Sequence, residues 1–173
     1  NHCSSLQEIH IPEGVTSIGD GAFAYCSSLK EIRLPNSLES IEEKNFIDCD
    51  NLQYLIIPDS LNINDEIDLI GSSNAKPTIY CKSNSSIKEY AVNKGINYIT
   101  DDIEPNLNVT SEKNRLMITA SDDTEIVGLS DYPYSFDGGE TWQDEPYMDI
   151  TESGTITVCV RDAVGNIATQ EIE

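Results

Sequence analysis

A chain of 173 residues with 38% hydrophobic and 24% charged side chains has the make-up of a folded protein of one ordinary domain or two small ones, which sets disorder aside as the starting expectation. Its 31 acidic against 10 basic residues give a formal charge of −21, and a surface of that sign repels phosphate, so nucleic acid and anionic membranes are poor partners. The acid is shared out, with 16 acids and 7 bases over residues 1–102 and 15 acids and 3 bases over 103–173, so no acidic tail accounts for it.

The first element in chain order is itself repeated. Cys3, Cys26 and Cys49 stand 23 residues apart, and their surroundings keep step: Leu6, Leu29 and Leu52; Ile9, Ile32 and Leu55; Ile11, Leu34 and Ile57; Pro12, Pro35 and Pro58; Val15, Leu38 and Leu61. The first two copies continue through Ile18 and Ile41, then Phe23 and Phe46, and are identical at 10 of 23 aligned positions. Unrelated segments share roughly one or two. A fixed period of this length is the signature of a solenoid, in which one coil cannot bury its apolar face alone and stacked coils bury a continuous column. Glu8 to Ile11 alternates, which predicts a short strand with Ile9 and Ile11 on one side and Glu8 and His10 on the other. Proline has no amide to donate, so Pro12, Pro35 and Pro58 mark where each coil leaves the sheet. Val15, Ile18 and Phe23 belong to the return arc.

This pattern resembles the leucine-rich repeats named for the BspA surface antigens of host-associated bacteria and some protozoa. Five cysteines with no C-x-x-C offer neither a zinc motif nor a redox motif. Coils about 4.8 Å apart leave a disulfide open on distance, while buried free thiols are the plainer reading, because three in a column cannot all pair. Cys81 and Cys159 read as isolated core thiols.

After Leu61 the period is read as failing, since Asn64 stands where an isoleucine is due and 62–77 is irregular. Thr78 to Cys81 is a plausible last strand. Ser86-Ile87-Lys88-Glu89 has the form of a capping box opening a helix, Ile87, Tyr90 and Ala91 share one face of it, and Gly95 is placed to end it. Ile96 to Ile99 adds an edge segment. The arrangement resembles the end of repeat arrays in that family, where a helix covers the last coil. A chain that opens inside a repeat leads us to expect earlier coils, an export signal and any wall anchor outside these boundaries. No apolar run is long enough to span a bilayer, so no membrane insertion is expected of this stretch.

Residues 101–105 form a charged, proline-ended linker, and from 106 to 173 the pattern is of short strands. Arg115 to Ala120, Gly154 to Val160 and Ile167 to Ile172 alternate, and Asp137-Gly138-Gly139 is a tight-turn signal between Tyr132-to-Phe136 and Trp142. The segments Tyr134 to Trp142 and Val158 to Ala168 resemble bacterial immunoglobulin-like modules. The resemblance implies an antiparallel sandwich without the antibody disulfide, with core packing around Trp142 holding the sheets. The fold expected is therefore two-domain and β-rich: a leucine-rich-repeat solenoid with parallel strands and a helical C-terminal cap over 1–100, then an antiparallel immunoglobulin-like β-sandwich over 106–173.

Chemistry is thinly represented. With His2 and His10 the only histidines, a nucleophile and base pair would have to form at the amino-terminal end, and paired carboxylates for glycoside hydrolysis need a cleft that a short solenoid lacks. Asp122, Asp123, Asp137 and Asp162 could gather round calcium, but the EF-hand spacing is missing and turn capping is the plainer account. Asn84 and Asn108 open glycosylation sequons of a length that arises by chance. No catalytic residue, metal or cofactor is assigned. The candidate surface is the outward face of the repeat strands, where Glu8, Glu31 and Tyr54 form one row and His10, Arg33 and Ile56 the next. Its bland reading is a solvated face, although Tyr54 and Ile56 exposed together would make an apolar patch. The resemblance implies a non-enzymatic surface or secreted interaction module, extracellular and monomeric, in which the repeats meet a host or neighbouring-cell protein or glycan and the sandwich is a spacer. Two alternatives are an accessory region of a larger secreted hydrolase and an inert stalk.

Overall fold

The computed structural model describes residues 3–64, 66–71, 74–124 and 126–173; His2 lies outside them. The chain divides into two compact units, Asn1–Asp101 and Asp102–Glu173. In the first, β1 (Glu8–His10), β3 (Glu31–Arg33), β5 (Tyr54–Ile56), β6 (Thr78–Cys81) and β7 (Asn97–Thr100) form one parallel sheet in that order. The short strands β2 (Ser17–Ile18) and β4 (Ser40–Ile41) pair separately, also in parallel. This is a β-rich, solenoid-like stack, and the 23-residue step is visible in its hydrogen bonds. The Leu6, Leu29 and Leu52 amides close the same turn onto Cys3, Cys26 and Cys49, at 3.0, 3.0 and 2.9 Å. Val15, Leu38 and Leu61 do likewise onto Pro12, Pro35 and Pro58.

Leu29, Ile32, Leu38, Phe46, Cys49, Leu55, Ile57 and Ile79 are all fully buried in one apolar column. Phe23 and Phe46 stack in successive coils, with ring centroids 5.8 Å apart and planes 4° from parallel. Burying a Leu, Ile or Phe side chain contributes about 1.5–3 kcal/mol, and here the gain is available only because each coil covers the next. Buried polar groups are matched between coils. Asn45, with no exposed surface, accepts from the Ala22 amide and donates to the Glu42 carbonyl.

The cysteines follow the column except at its start. Cys26, Cys49, Cys81 and Cys159 are buried, Cys3 is exposed, and all five are free. Burial pushes the Cys49 thiol up to about 11, and its Sγ lies 3.1 Å from the Phe23 carbonyl oxygen.

The period does not stop at Leu61. Leu69 falls 23 residues after Phe46, is fully buried, and its carbonyl accepts the Phe46 amide at 2.8 Å. Asn64 is exposed and Ile63 takes the buried place instead, so the coil slips by one residue rather than ending. The one helix among the described residues, α1 (Ser86–Lys94), starts one residue earlier than the capping-box reading implies. Ser85 is its N-cap and its Oγ accepts from the Lys88 amide, while Ser86 Oγ accepts the Ile63 amide. Ile87, Tyr90 and Ala91 are its buried residues, and Gly95 ends it in the left-handed conformation at φ 66°.

The second unit is antiparallel throughout. One sheet contains β8 (Asn106–Glu112), β9 (Arg115–Ser121) and β11 (Tyr147–Asp149), in the order β11-β9-β8; the other contains β10 (Leu129–Ser135), β12 (Ile156–Asp162) and β13 (Ile167–Ile172), in the order β10-β12-β13. Leu116 and Ile118 of the first sheet and Val158 and Val160 of the second form a shared core, with Leu107, Val109, Tyr134 and Ile172 packed on it. Trp142 is outside this core. It is half-buried and stacks on the Arg161 guanidinium, 4.2 Å from its ring centroid, while Arg161 Nε donates to the Tyr132 carbonyl.

Candidate interaction surface on the repeat sheet

Because a strand turns alternate side chains to opposite faces, the in-register parallel pairing extends each outward row across all five strands. The first row is Glu8, Glu31, Tyr54, Thr78 and Asn97; the second is His10, Arg33, Ile56, Tyr80 and Ile99. Thr78, Asn97, Tyr80 and Ile99 had no sequence signal as row members, because β6 and β7 arrive off the 23-residue step; only the pairing register adds them.

Along the first row Glu8, Glu31 and Asn97 are exposed, and Tyr54 and Thr78 are half-buried. Arg33 reaches to 3.9 Å from Glu31, a long, solvent-screened pair that contributes little to stability. Tyr54 and Tyr80 meet edge to face with centroids 5.9 Å apart, and burial followed by the nearby Tyr54 phenol raises the Tyr80 hydroxyl. The expected open apolar patch of Tyr54 with Ile56 is not present: Ile56 is 0% exposed. In register it lies between Arg33 and Tyr80, two long side chains one strand spacing away on either side. Replacing Ile56 with serine would therefore disturb the fold, and the surface offered by the expected residues reduces to Glu8, His10, Glu31, Arg33 and Tyr54. Two neighbouring carboxylates, a partly screened guanidinium and a phenol edge can bind a cationic or hydroxyl-rich partner.

The profile of a family described as BspA type leucine rich repeat region (6 copies) matches residues 1–113. The chain belongs to the BspA-type leucine-rich-repeat family. Repeats of the BspA type are in general non-catalytic and typically surface-located or secreted. The match runs on into β8, which pairs antiparallel with β9, whereas coil geometry ends at β7. No curated protein and no solved structure matches the chain. No helix of the described residues is long and apolar enough to cross a membrane.

The second unit uses its turn acids as caps. Asp137 accepts from Ser135 Oγ, the Thr141 amide and the Thr141 hydroxyl. Asp162 accepts the amides of Val164, Gly165 and Asn166 on one oxygen and the Asn166 side chain on the other. Asp122 accepts the Thr124 amide, and Asp123 accepts from the Asn106 side chain. An oxygen of Asp122 and one of Asp162 lie within 4.8 Å of each other.

Proposed function

We propose that the chain is a non-enzymatic interaction module of a bacterial surface or secreted protein. The repeat sheet meets a protein or glycan on another cell or a host, and the second unit acts as an immunoglobulin-like spacer. The observation that carries the reading is the in-register row of exposed Glu8 and Glu31 and half-buried Tyr54, presented on a sheet whose other face holds the buried Ile32, Leu55 and Ile79. Such a face is rigid before binding, so a partner meets it without a large ordering cost. The sandwich assignment rests on two antiparallel sheets sharing one core over about 70 residues. The engagement of Asp137 and Asp162 in turn capping is what supports reading this unit as a spacer.

The test is a glycan array and host-protein panel probed with the intact chain and with a Glu8→Ala, Glu31→Ala, Tyr54→Ser variant. These three positions lie outside the buried column, so far-ultraviolet circular dichroism should be unchanged. Loss of a wild-type signal in the variant supports the reading. An unchanged signal on every ligand that binds means the repeat sheet is not the contact face.

A further inference from the structure

Where the third coil departs from the regular path, a cavity of about 550 Å³ opens between residues 68–71 and 75–77, the end of α1 and the start of β7. This is within the size range of small-molecule sites, and it is separate from the outward rows of the sheet. Ile70, Ala75, Pro77 and Ile96 line it with apolar surface. Tyr90 also lines it, although only 1% of that residue is exposed. The Tyr90 hydroxyl oxygen accepts the Leu69 amide at 3.2 Å. A hydroxyl that accepts one hydrogen bond can still donate its own hydrogen to a ligand oxygen.

The charge around this donor narrows the ligand. In a chain with 10 basic residues against 31 acids, two lysines, Lys76 and Lys94, border this one cavity, and Lys94 Nζ sits 5.9 Å from the Tyr90 ring centroid. Asp68 is the only acid among the described lining residues, with one oxygen already accepting the Gly71 amide. The lysines and the phenol favour an anionic oxygen. Asp68 disfavours a bare apolar acid and favours a body with hydroxyls to donate, while the apolar floor suits the C–H face of a ring.

We propose that this cavity binds an acidic sugar, with its carboxylate held by Lys94, Lys76 and the Tyr90 hydroxyl and its hydroxyls directed to Asp68 and Asn97. The site is independent of the repeat-sheet reading, and the two can fail separately. Glucuronic acid and N-acetylneuraminic acid are titrated into the intact chain, followed by amide chemical shifts. Saturable shifts are expected at Leu69, Gly95 and Asn97, with none along Glu8 and Glu31. The methyl esters, glucose and butyrate should bind about tenfold more weakly or worse, the size expected when a hydrogen bond to a charged group is lost. K94Q and K76Q should each weaken the acids by a similar factor. Both lysines are exposed, so their melting points should match the parent and separate lost binding from lost folding. The proposal is overturned if no saturable shift develops up to about 10 mM acid, a concentration covering millimolar sites. It is equally overturned if ester and acid bind alike, or if the shifts map to the repeat sheet.

Discussion

One backbone position recurs in the left-handed conformation in all three coils: Tyr25 at φ 65°, Asp48 at 54° and Gly71 at 60°, each 23 residues from the next. Only the third is a glycine, and a β-carbon there costs a non-glycine residue roughly 1–2 kcal/mol. Asp48→Gly should therefore stabilise the chain by up to about 1 kcal/mol, the relief being partly offset by glycine's greater freedom when unfolded. Gly71→Ala should destabilise it by a similar or larger amount, because the new β-carbon would also press on Ile47 at 3.1 Å. Urea unfolding of both variants checks the opposite signs. The repeat of this geometry could not be read from the residues, which are tyrosine, aspartate and glycine at equivalent places. Asp137 makes a pH-dependent counterpart. Burial raises its carboxyl, but hydrogen bonds from the Thr141 side chain and backbone, from Ser135 and from the Glu140 backbone outweigh that and hold it at about 2, below the ordinary 3.8. A depressed carboxyl stabilises the fold above its unfolded value, and that stability is lost as pH falls through 3.8 towards 2. Asp137→Asn should lower the melting point at pH 7, and the gap should close by about pH 2. A gap that persists into acid would mean the side-chain shape, not its charge, holds the turn.

At the scale of elements, the cap helix shows why the capping-box reading begins it one residue late. Ser86 has the residue type of a cap, but its Oγ accepts the Ile63 amide, and Ser85 caps α1 instead. Ser85→Ala should cost about 1 kcal/mol, the usual price of a lost N-cap, and raise amide exchange over the first turn of the helix. Ser86→Ala should leave helix exchange unchanged and loosen Ile63 instead. The coil strands were legible because their apolar residues repeat in phase, and the second unit's strands β9, β12 and β13 because they alternate. Strands β8 and β11 were not, since Asn106-Leu-Asn-Val-Thr and Tyr147-Met-Asp carry few apolar residues and are fixed by pairing on either side of β9. The same limit applies to the site. The sequence period placed Glu8, Glu31 and Tyr54 in one row, but Ile56's burial depends on Tyr80, whose strand joins out of step.

For the whole molecule, the chain divides into two compact units near residue 100, where the 23-residue repeat gives way to a two-residue alternation and a charged, proline-ended segment lies between. What composition adds is charge. With −21 spread over both units, the described ion pairs outside Arg115–Asp149 are 3.7 to 4.0 Å long and solvent-exposed to varying degrees, so they do little to offset mutual repulsion. Repulsion of this kind destabilises the compact state and is relieved by salt, since the screening length falls from about 30 Å at 0.01 M to about 8 Å at 0.15 M. The melting point at pH 7 should therefore rise with sodium chloride across that range, whereas a chain held by surface salt bridges would be weakened. Differential scanning calorimetry at three salt concentrations distinguishes the two. Under the same conditions the chain should pass through a phosphocellulose column unretained, because the two lysines of the cap cavity are a local exception within an acidic surface, and retention would require a basic patch that the composition does not supply.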